Sequence, residues 1–203
     1  MAHVEASVRR PQIISAARRV LARDGVAKTS LRAVAAEAAV PLGTLQYVFR
    51  SKELLLRAVI EDVVGEIAEV LTASGDLDRG LAHAIRQGLT SFWSQLVTGH
   101  RGLQIMQYEL TVYALRTAGQ EELARWQYDR YARVVAEWCE SAAHRAGEAC
   151  AVPFDQLARV IVATVDGLIL QHVCEPDPAR SRADLDVAIR MITATAEVSL
   201  PVT

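Results

Sequence analysis

Between Pro41 and Phe49 the chain reads PLGTLQYVF, and the side chains in it that can do chemistry are Thr44, Gln46 and Tyr47. They place two hydroxyls and a carboxamide within about one helical turn. A glutamine amide both donates and accepts, so it can pair bidentately with an adenine edge, worth about 1–3 kcal/mol of discrimination. Tyr47 adds a flat apolar face, and Gly43 leaves room for another backbone to come close. Lys52 follows where a new helix should open, so its ammonium and the first backbone N–H groups can hold a phosphate. Leu45, between exposed neighbours, is expected to point back to a core. No comparable set for bond-breaking is present. HExxH, GxSxG and P-loop motifs are absent, and none of the five histidines has Glu three residues earlier, as the paired ExxH of di-iron bundles requires.

These groups need a frame. Leu31, Val34, Ala35 and Ala38 give a short helix with a narrow apolar face, capped by Thr29 or Ser30. Val40-Pro41 break it, and a second short helix covers Leu42 to Val48. Helices of this length are marginal alone, below the roughly 12–15 residues that isolated helices need, so tertiary packing must hold them. A short helix, a tight turn and a second short helix form the helix-turn-helix arrangement, whose second helix enters the major groove of DNA. Before it, a first helix starts near Pro11 and stops at Gly25. After it, Ser51 caps a long helix from Lys52 to about Thr72. Further helices are predicted over Leu77–Val97, Gly102–Thr117, Glu121–Ala146, Asp155–Cys174 and Arg182–Val198. The fold class is therefore all-α, about nine helices, divided as a head at 1–51 and a body at 52–203.

Charge follows the same division. Residues 1–52 hold nine Arg or Lys against three Asp or Glu, a net +6, while the rest carries −8. A basic head on an acidic body suits a polyanionic partner. The N-terminus shows no apolar secretory core, and the apolar run Val160–Val173, interrupted by Asp166, is too short to cross a bilayer. A cytoplasmic protein without a membrane partner is expected. Cys139, Cys150 and Cys174 form no CxxC pair, so they read as buried apolar thiols, with no metal or other cofactor implied.

The stretch RRPQIISAARRVLARDGVAKTSLRAVAAEAAVPLGTLQYVFRSKELLLRAVI resembles the DNA-binding domain of TetR-family transcriptional regulators. The resemblance is carried by IISAARRVLARDG, TSLRAVAAEAAV, GTLQYVF and SKELL together, across about residues 9–60. It implies DNA contacts at Arg32, Thr44, Gln46, Tyr47 and Lys52, and backbone or side-chain approach at Thr29, Leu42 and Gly43. Three positions depart from the family pattern. Ala39 stands where the turn usually has glycine, at a cost of about 1–2 kcal/mol if φ is positive there. Gln46 replaces a frequent tyrosine, and Arg50 replaces a frequent proline.

The resemblance further implies that the body binds a small-molecule inducer and forms a homodimer on a palindromic operator, most often as a repressor. The body's residues speak to this separately. Eight of the 11 aromatics lie within 92–138, among them Phe92, Trp93, Tyr108, Tyr113, Trp126, Tyr131 and Trp138. They line a ligand cavity or fill a core; both readings stand. Glu109 and Arg116 are the nearby charges. The last two helices are apolar over more than one stripe, and Ala163, Gly167, Leu170, Ala188 and Ile192 are expected in a two-fold interface. A monomer with a thick body competes with that reading. An all-α small-molecule carrier or enzyme using the aromatic cavity, or a DNA-binding adaptor that senses no ligand, remains the alternative function.

Overall fold

A computed structural model describes residues 2–74 and 77–196, with only the backbone of residues 2–8. Among the described residues there are nine α-helices and no β-strand: α1 Ala2–Asp24, α2 Leu31–Glu37, α3 Leu42–Val48, α4 Lys52–Ala73, α5 Leu81–Phe92, α6 Arg101–Arg116, α7 Glu121–Ala146, α8 Phe154–Cys174 and α9 Pro178–Ala196. The all-α expectation holds.

Three stretches differ from the sequence reading by more than a residue. Helix α1 runs through Pro11 instead of starting at it. Proline only removes one donor there, and the helix continues on both sides of the missing bond. The stretch expected as one helix over Leu77–Val97 is three segments: a 3₁₀ turn at Leu77–Arg79, α5, and a π-turn at Trp93–Val97. Gly80, at φ +91°, makes the first break, and the Glu148 carboxylate caps α5 by accepting from Leu81 N at 2.7 Å. That cap comes from 67 residues away, so no local pattern announces it. Helix α9 starts at Pro178, not Arg182, because Asp177 Oδ1 accepts from the Ala179 and Arg180 N–H groups, both at 3.0 Å. What reads as a loop, EPDPARS, is an N-cap followed by proline at the first helical position. Helix α8, at 21 residues, is long and apolar enough to cross a membrane by length and composition. Its stripe Leu157, Ile161, Val165 and Ile169 is buried, and α8 packs on α9, so one face of the helix serves the second unit's own core.

The described chain forms two compact units. The first contains the chain up to Val63 together with Gly102–Gln127; the second contains Val64–Arg101 and the chain from Tyr128 on. In the first unit α1, α2 and α3 pack on one another. Ile13, Val20, Val34, Leu45 and Phe49 are its buried contacts there, with Leu56, Ile60, Met106 and Leu110 farther along. In the second unit α8 and α5 both pack on α9, and Leu81, Ile85, Ile161, Leu185 and Ile189 are buried. A Cβ on Gly88 would come within 2.5 Å of the Trp138 ring, so the bare backbone of α5 is what lets that indole lie across it.

The turn between α2 and α3 is closed by its own backbone. Val40 N donates to Ala35 O at 3.0 Å and Ala39 N to Ala36 O at 3.1 Å, while Gln12 Nε2 reaches from α1 to Ala38 O at 2.8 Å. That pattern requires a left-handed residue between them, and Ala39 takes it at φ +52°, the only described non-glycine residue with positive φ. The turn thus keeps the shape glycine would give and carries the strain of a Cβ. Ala39→Gly is expected to stabilise the protein by about 1 kcal/mol, the left-handed penalty partly offset by the freer unfolded chain. Urea unfolding midpoints measure it; a lower midpoint for Ala39→Gly would contradict the strain.

Candidate functional site

Helix α3 has seven residues and a single fully buried side chain, Leu45. Phe49, just past its end, is also buried, with the Arg10 guanidinium 4.9 Å from its ring centroid. These two anchors turn the other face of α3 outward. Gln46 and Tyr47 are exposed, Tyr47 by 67%, and Leu42 and Thr44 are half-buried. A Cβ at Gly43 would meet nothing within 4 Å, so the chain's own packing does not demand glycine there. Leu45 thus points inward and Gln46 and Tyr47 outward, as the sequence reading expects, while Thr44 is half-buried where that reading expects an exposed neighbour.

The flanking positions divide. Arg32 is exposed on α2 and makes no ion pair among the described residues. Thr29 is buried, and its hydroxyl donates to Gly25 O at 2.8 Å, so this side chain is spent inside the protein. Ser30 is the helix cap, accepting from Ala33 N at 3.2 Å. Lys52 is half-buried: its ammonium donates to Val26 O at 2.6 Å and lies 4.8 Å from the Tyr113 ring centroid. Burial pulls its pKa below the ordinary lysine value. At the start of α4 Ser51 Oγ accepts from Leu54 N at 3.2 Å.

Pairing also sorts the basic head. Arg18 meets Asp62 at 2.6 Å, and Arg19 and Arg23 both reach Glu37, at 2.8 and 3.1 Å. Hydrogen bonds from Arg19 and Arg23 hold the Glu37 carboxyl below the usual range. Arg32 and Arg50 stay exposed and form no ion pair among the described residues, while exposed Lys28 acts on Asp24, whose pKa it helps to lower. The cations of α1 that reach Asp62 and Glu37 are thus neutralised, whereas Arg32 on α2 and Arg50 just past α3 are not.

The expected ligand aromatics fall in both units and are described by unit. In the first, Tyr113 carries Lys52 on its ring, and Trp126 carries the Arg57 guanidinium at 5.0 Å; Tyr108 is half-buried on α6. One face of two expected ligand rings is therefore taken by a cation of α4. In the second, Trp93 packs edge-on against His172, centroids 5.6 Å apart, and Tyr131 packs against Tyr128 at 5.9 Å. Trp138 is buried against Gly88, and its Nε1 is a buried donor without a hydrogen-bond partner; Phe92 is half-buried. A cleft of about 480 Å³ lies between α7 and α8, lined by Tyr128, Ala132, Arg133, Arg159 and Val162 among others.

Two expectations need correction. Ala188 and Ile192 are 5% and 2% exposed, so they serve the second unit's own core and leave nothing for a partner. The open face of α9 is one residue out of phase, at Val187 and Met191, while Ala163, Gly167 and Leu170 on α8 are exposed as expected, with Val160. Both stripes of α9 are apolar, and periodicity alone cannot say which one a neighbouring helix covers. Of the three cysteines only Cys139 is buried, its thiol pushed up to about 12 by burial; Cys150 is half-buried and Cys174 exposed.

Asp166, which the sequence shows only as an interruption in an apolar run, is raised in pKa by burial on α8, partly opposed by a hydrogen bond from Tyr128. A folded-state value above the unfolded one means the fold prefers the protonated acid, so stability falls as pH rises through that interval. Asp166→Asn is expected to raise the melting temperature at pH 7 and to change it much less near pH 3.5. Equal shifts at both pH values would rule out a charge penalty at this position.

The chain matches two family models, bacterial regulatory proteins of the tetR family over residues 13–59 and the tetracyclin repressor-like C-terminal domain over residues 84–195. It is 31% identical over 178 residues to the HTH-type nicotine-responsive transcriptional repressor HdnoR of Paenarthrobacter nicotinovorans, covering 86% of this chain and 88% of that one. Among solved structures, the multidrug binding protein EbrR complexed with ethidium is 30% identical with a TM-score of 0.62, covering 96% of this chain and 99% of that one. A TetR family member from Streptomyces coelicolor is 28% identical with a TM-score of 0.68, at the same coverage of both chains.

Proposed function

The chain belongs to the tetR family of bacterial regulatory proteins, and from that premise we propose a repressor that binds a palindromic operator as a homodimer and is released by a small-molecule inducer. The observation that carries the DNA part is α3 itself. Its buried Leu45 leaves Gln46 and Tyr47 exposed with no protein group to serve, and Arg32 on α2 and Arg50 just past α3 are exposed cations without an ion pair among the described residues. In this reading Gln46 and Thr44 meet base edges, and Arg32, Tyr47 and Lys52 position the head on phosphates. Thr29, Leu42 and Gly43 approach the DNA through backbone, since Thr29's hydroxyl is already used.

Functionally, residues 1–51 read DNA, and 52–203 sense and dimerise. For the inducer, an aromatic, basic or cationic small molecule is the class to test first. HdnoR is named for its response to nicotine, and EbrR has been crystallised with malachite green and with ethidium. In the second unit the cleft between α7 and α8, with Tyr128, Asp129 and Asp155 in its lining, offers a ring face and carboxylates to such a molecule. A DNA-reading regulator of this kind works in the cytoplasm.

The dimer reading rests on Val160, Leu170, Val187 and Met191, large apolar side chains exposed on two helices that pack on each other. Exposed apolar surface of this kind marks an interaction face, and a two-fold pairing would cover it with its own copy. Leu170→Glu and Met191→Glu are expected to give monomers by sedimentation, because the dimer would have to bury uncompensated charge. Two variants that remain dimeric would remove this face from the interface.

Mobility-shift titration with the DNA upstream of the protein's own gene tests the DNA reading. Gln46→Ala is expected to weaken binding and change the base preference. Lys52→Ala is expected to weaken all duplexes alike and lower the salt slope by about one. An unchanged specificity ratio for Gln46→Ala would refute base reading by that residue.

A further inference from the structure

The peptide group of Val26, in the loop between α1 and α2, is held from both sides. Its N–H donates to Glu109 Oε2 at 3.0 Å, and its carbonyl accepts from Lys52 Nζ at 2.6 Å. Glu109 belongs to α6 and Lys52 opens α4, so three segments distant in sequence meet at one peptide unit. One turn along the same face of α6, Tyr113 lies under the Lys52 ammonium. Gly25 completes the fit: a Cβ there would stand 2.9 Å from Glu109 Oε2, and its carbonyl is tied to Thr29 Oγ1 at 2.8 Å.

A carbonyl and an aromatic face orient an ammonium without cancelling its charge. No carboxylate forms an ion pair with Lys52 among the described residues, and the cause of its lowered pKa is burial, not a neighbouring charge. An ammonium has three donors. The Val26 carbonyl takes one and the Tyr113 ring faces another, which leaves a third for a phosphate oxygen. Without these contacts a lysine side chain must give up rotamer freedom when a phosphate fixes it.

We infer that Tyr113 and Glu109 are positioning residues for operator binding: α6, through the Tyr113 ring and the Val26 peptide that Glu109 fixes, sets where the Lys52 ammonium stands for an operator phosphate. The inference rests on the operator-binding reading above. It also specifies a route of regulation, because any ligand that displaces α6 moves this phosphate anchor without touching Gln46 or its neighbours.

The test is a double-mutant cycle on the full-length protein. Tyr113→Phe and Tyr113→Leu are each made in wild type and in Lys52→Ala, and titrated with the upstream DNA and with a scrambled duplex of equal length. Tyr113→Phe keeps the ring and is expected to match wild type. Tyr113→Leu is expected to weaken both duplexes about threefold, leaving their ratio unchanged. In the Lys52→Ala background the same change is expected to do nothing. Glu109→Ala is expected to weaken binding in the same Lys52-dependent way, and Glu109→Gln, which keeps an acceptor for Val26 N–H, to recover most of it. A purely structural role predicts instead that Tyr113→Leu costs the same with and without Lys52, or that Phe fails as Leu does; either result overturns the inference, as does unaltered binding by Tyr113→Leu. Wild type that does not discriminate the two duplexes overturns the operator reading, and this inference with it. Wild type that discriminates, with Tyr113 and Lys52 additive, overturns this inference alone.

Discussion

A seven-residue helix has too few internal hydrogen bonds to offset the cost of its first turn, so α3 exists only as long as something outside it holds it. That something is the burial of Leu45 and Phe49 against α1 and α2. Fully burying one large apolar side chain contributes about 1.5–3 kcal/mol, and these two residues flank the face that carries Gln46 and Tyr47. Their direction fixes the direction of every polar group on the helix. The turn before α3 is under the same constraint. To bring α3 across α2 at this angle, residue 39 must be left-handed, and the chain accepts alanine there although Cβ is unfavourable.

The distribution of charge in the head follows from what is already buried. Arg18, Arg19 and Arg23 lie on α1, where Asp62 and Glu37 are within reach, and their pairing ties α1 to α4 and α2. The exposed pairs of Arg19 and Arg23 contribute little to stability, but they remove cations from the count available to a polyanion. The net +6 of residues 1–52 is therefore a poor guide to the field at α3. The cations that matter are those without an ion pair among the described residues, Arg32, Arg50 and the carbonyl-bound Lys52.

The legible and illegible parts of the chain separate by the range of the interactions involved. Helix α3, its inward Leu45, the break at Val40-Pro41 and the cap at Ser51 are written in neighbouring residues, and they appear where the sequence puts them. The break at Gly80 depends on Glu148, the start of α9 was hidden because Asp177-Pro178 reads equally well as a loop or as a cap, and Thr29 gave no sign that its hydroxyl would turn to Gly25. The interface residues of α9 show the same limit more sharply. Ala188 and Val187 are adjacent, both suit an apolar stripe, and only the packing of α8 and α5 on α9 decides which faces inward. Glu109 could be singled out as a charge among aromatics, but its partner, a backbone N–H 83 residues earlier, could not.

The partition into units bears on how a sensing body could speak to a reading head. The first unit contains not only α1–α3 but also α6 and the first turns of α7, and α4 passes from this unit into the other. Within it, two cations on the first two turns of α4 each rest on a ring from the later chain, Lys52 on Tyr113 and Arg57 on Trp126. A tenfold change in DNA affinity corresponds to about 1.4 kcal/mol, ordinary for allosteric coupling. Hydrogen bonds contribute about 1 kcal/mol each and cation–ring contacts about 0.5–1 kcal/mol at exposed sites. The Val26 clamp with the Tyr113 ring, together with the separate Arg57–Trp126 contact, would thus be of the right size to transmit such an effect, and no single member would need to break completely. On the proposed reading, linkage would run in both directions: whatever energy a ligand spent in loosening these contacts, bound operator would return by weakening the ligand through the same few atoms.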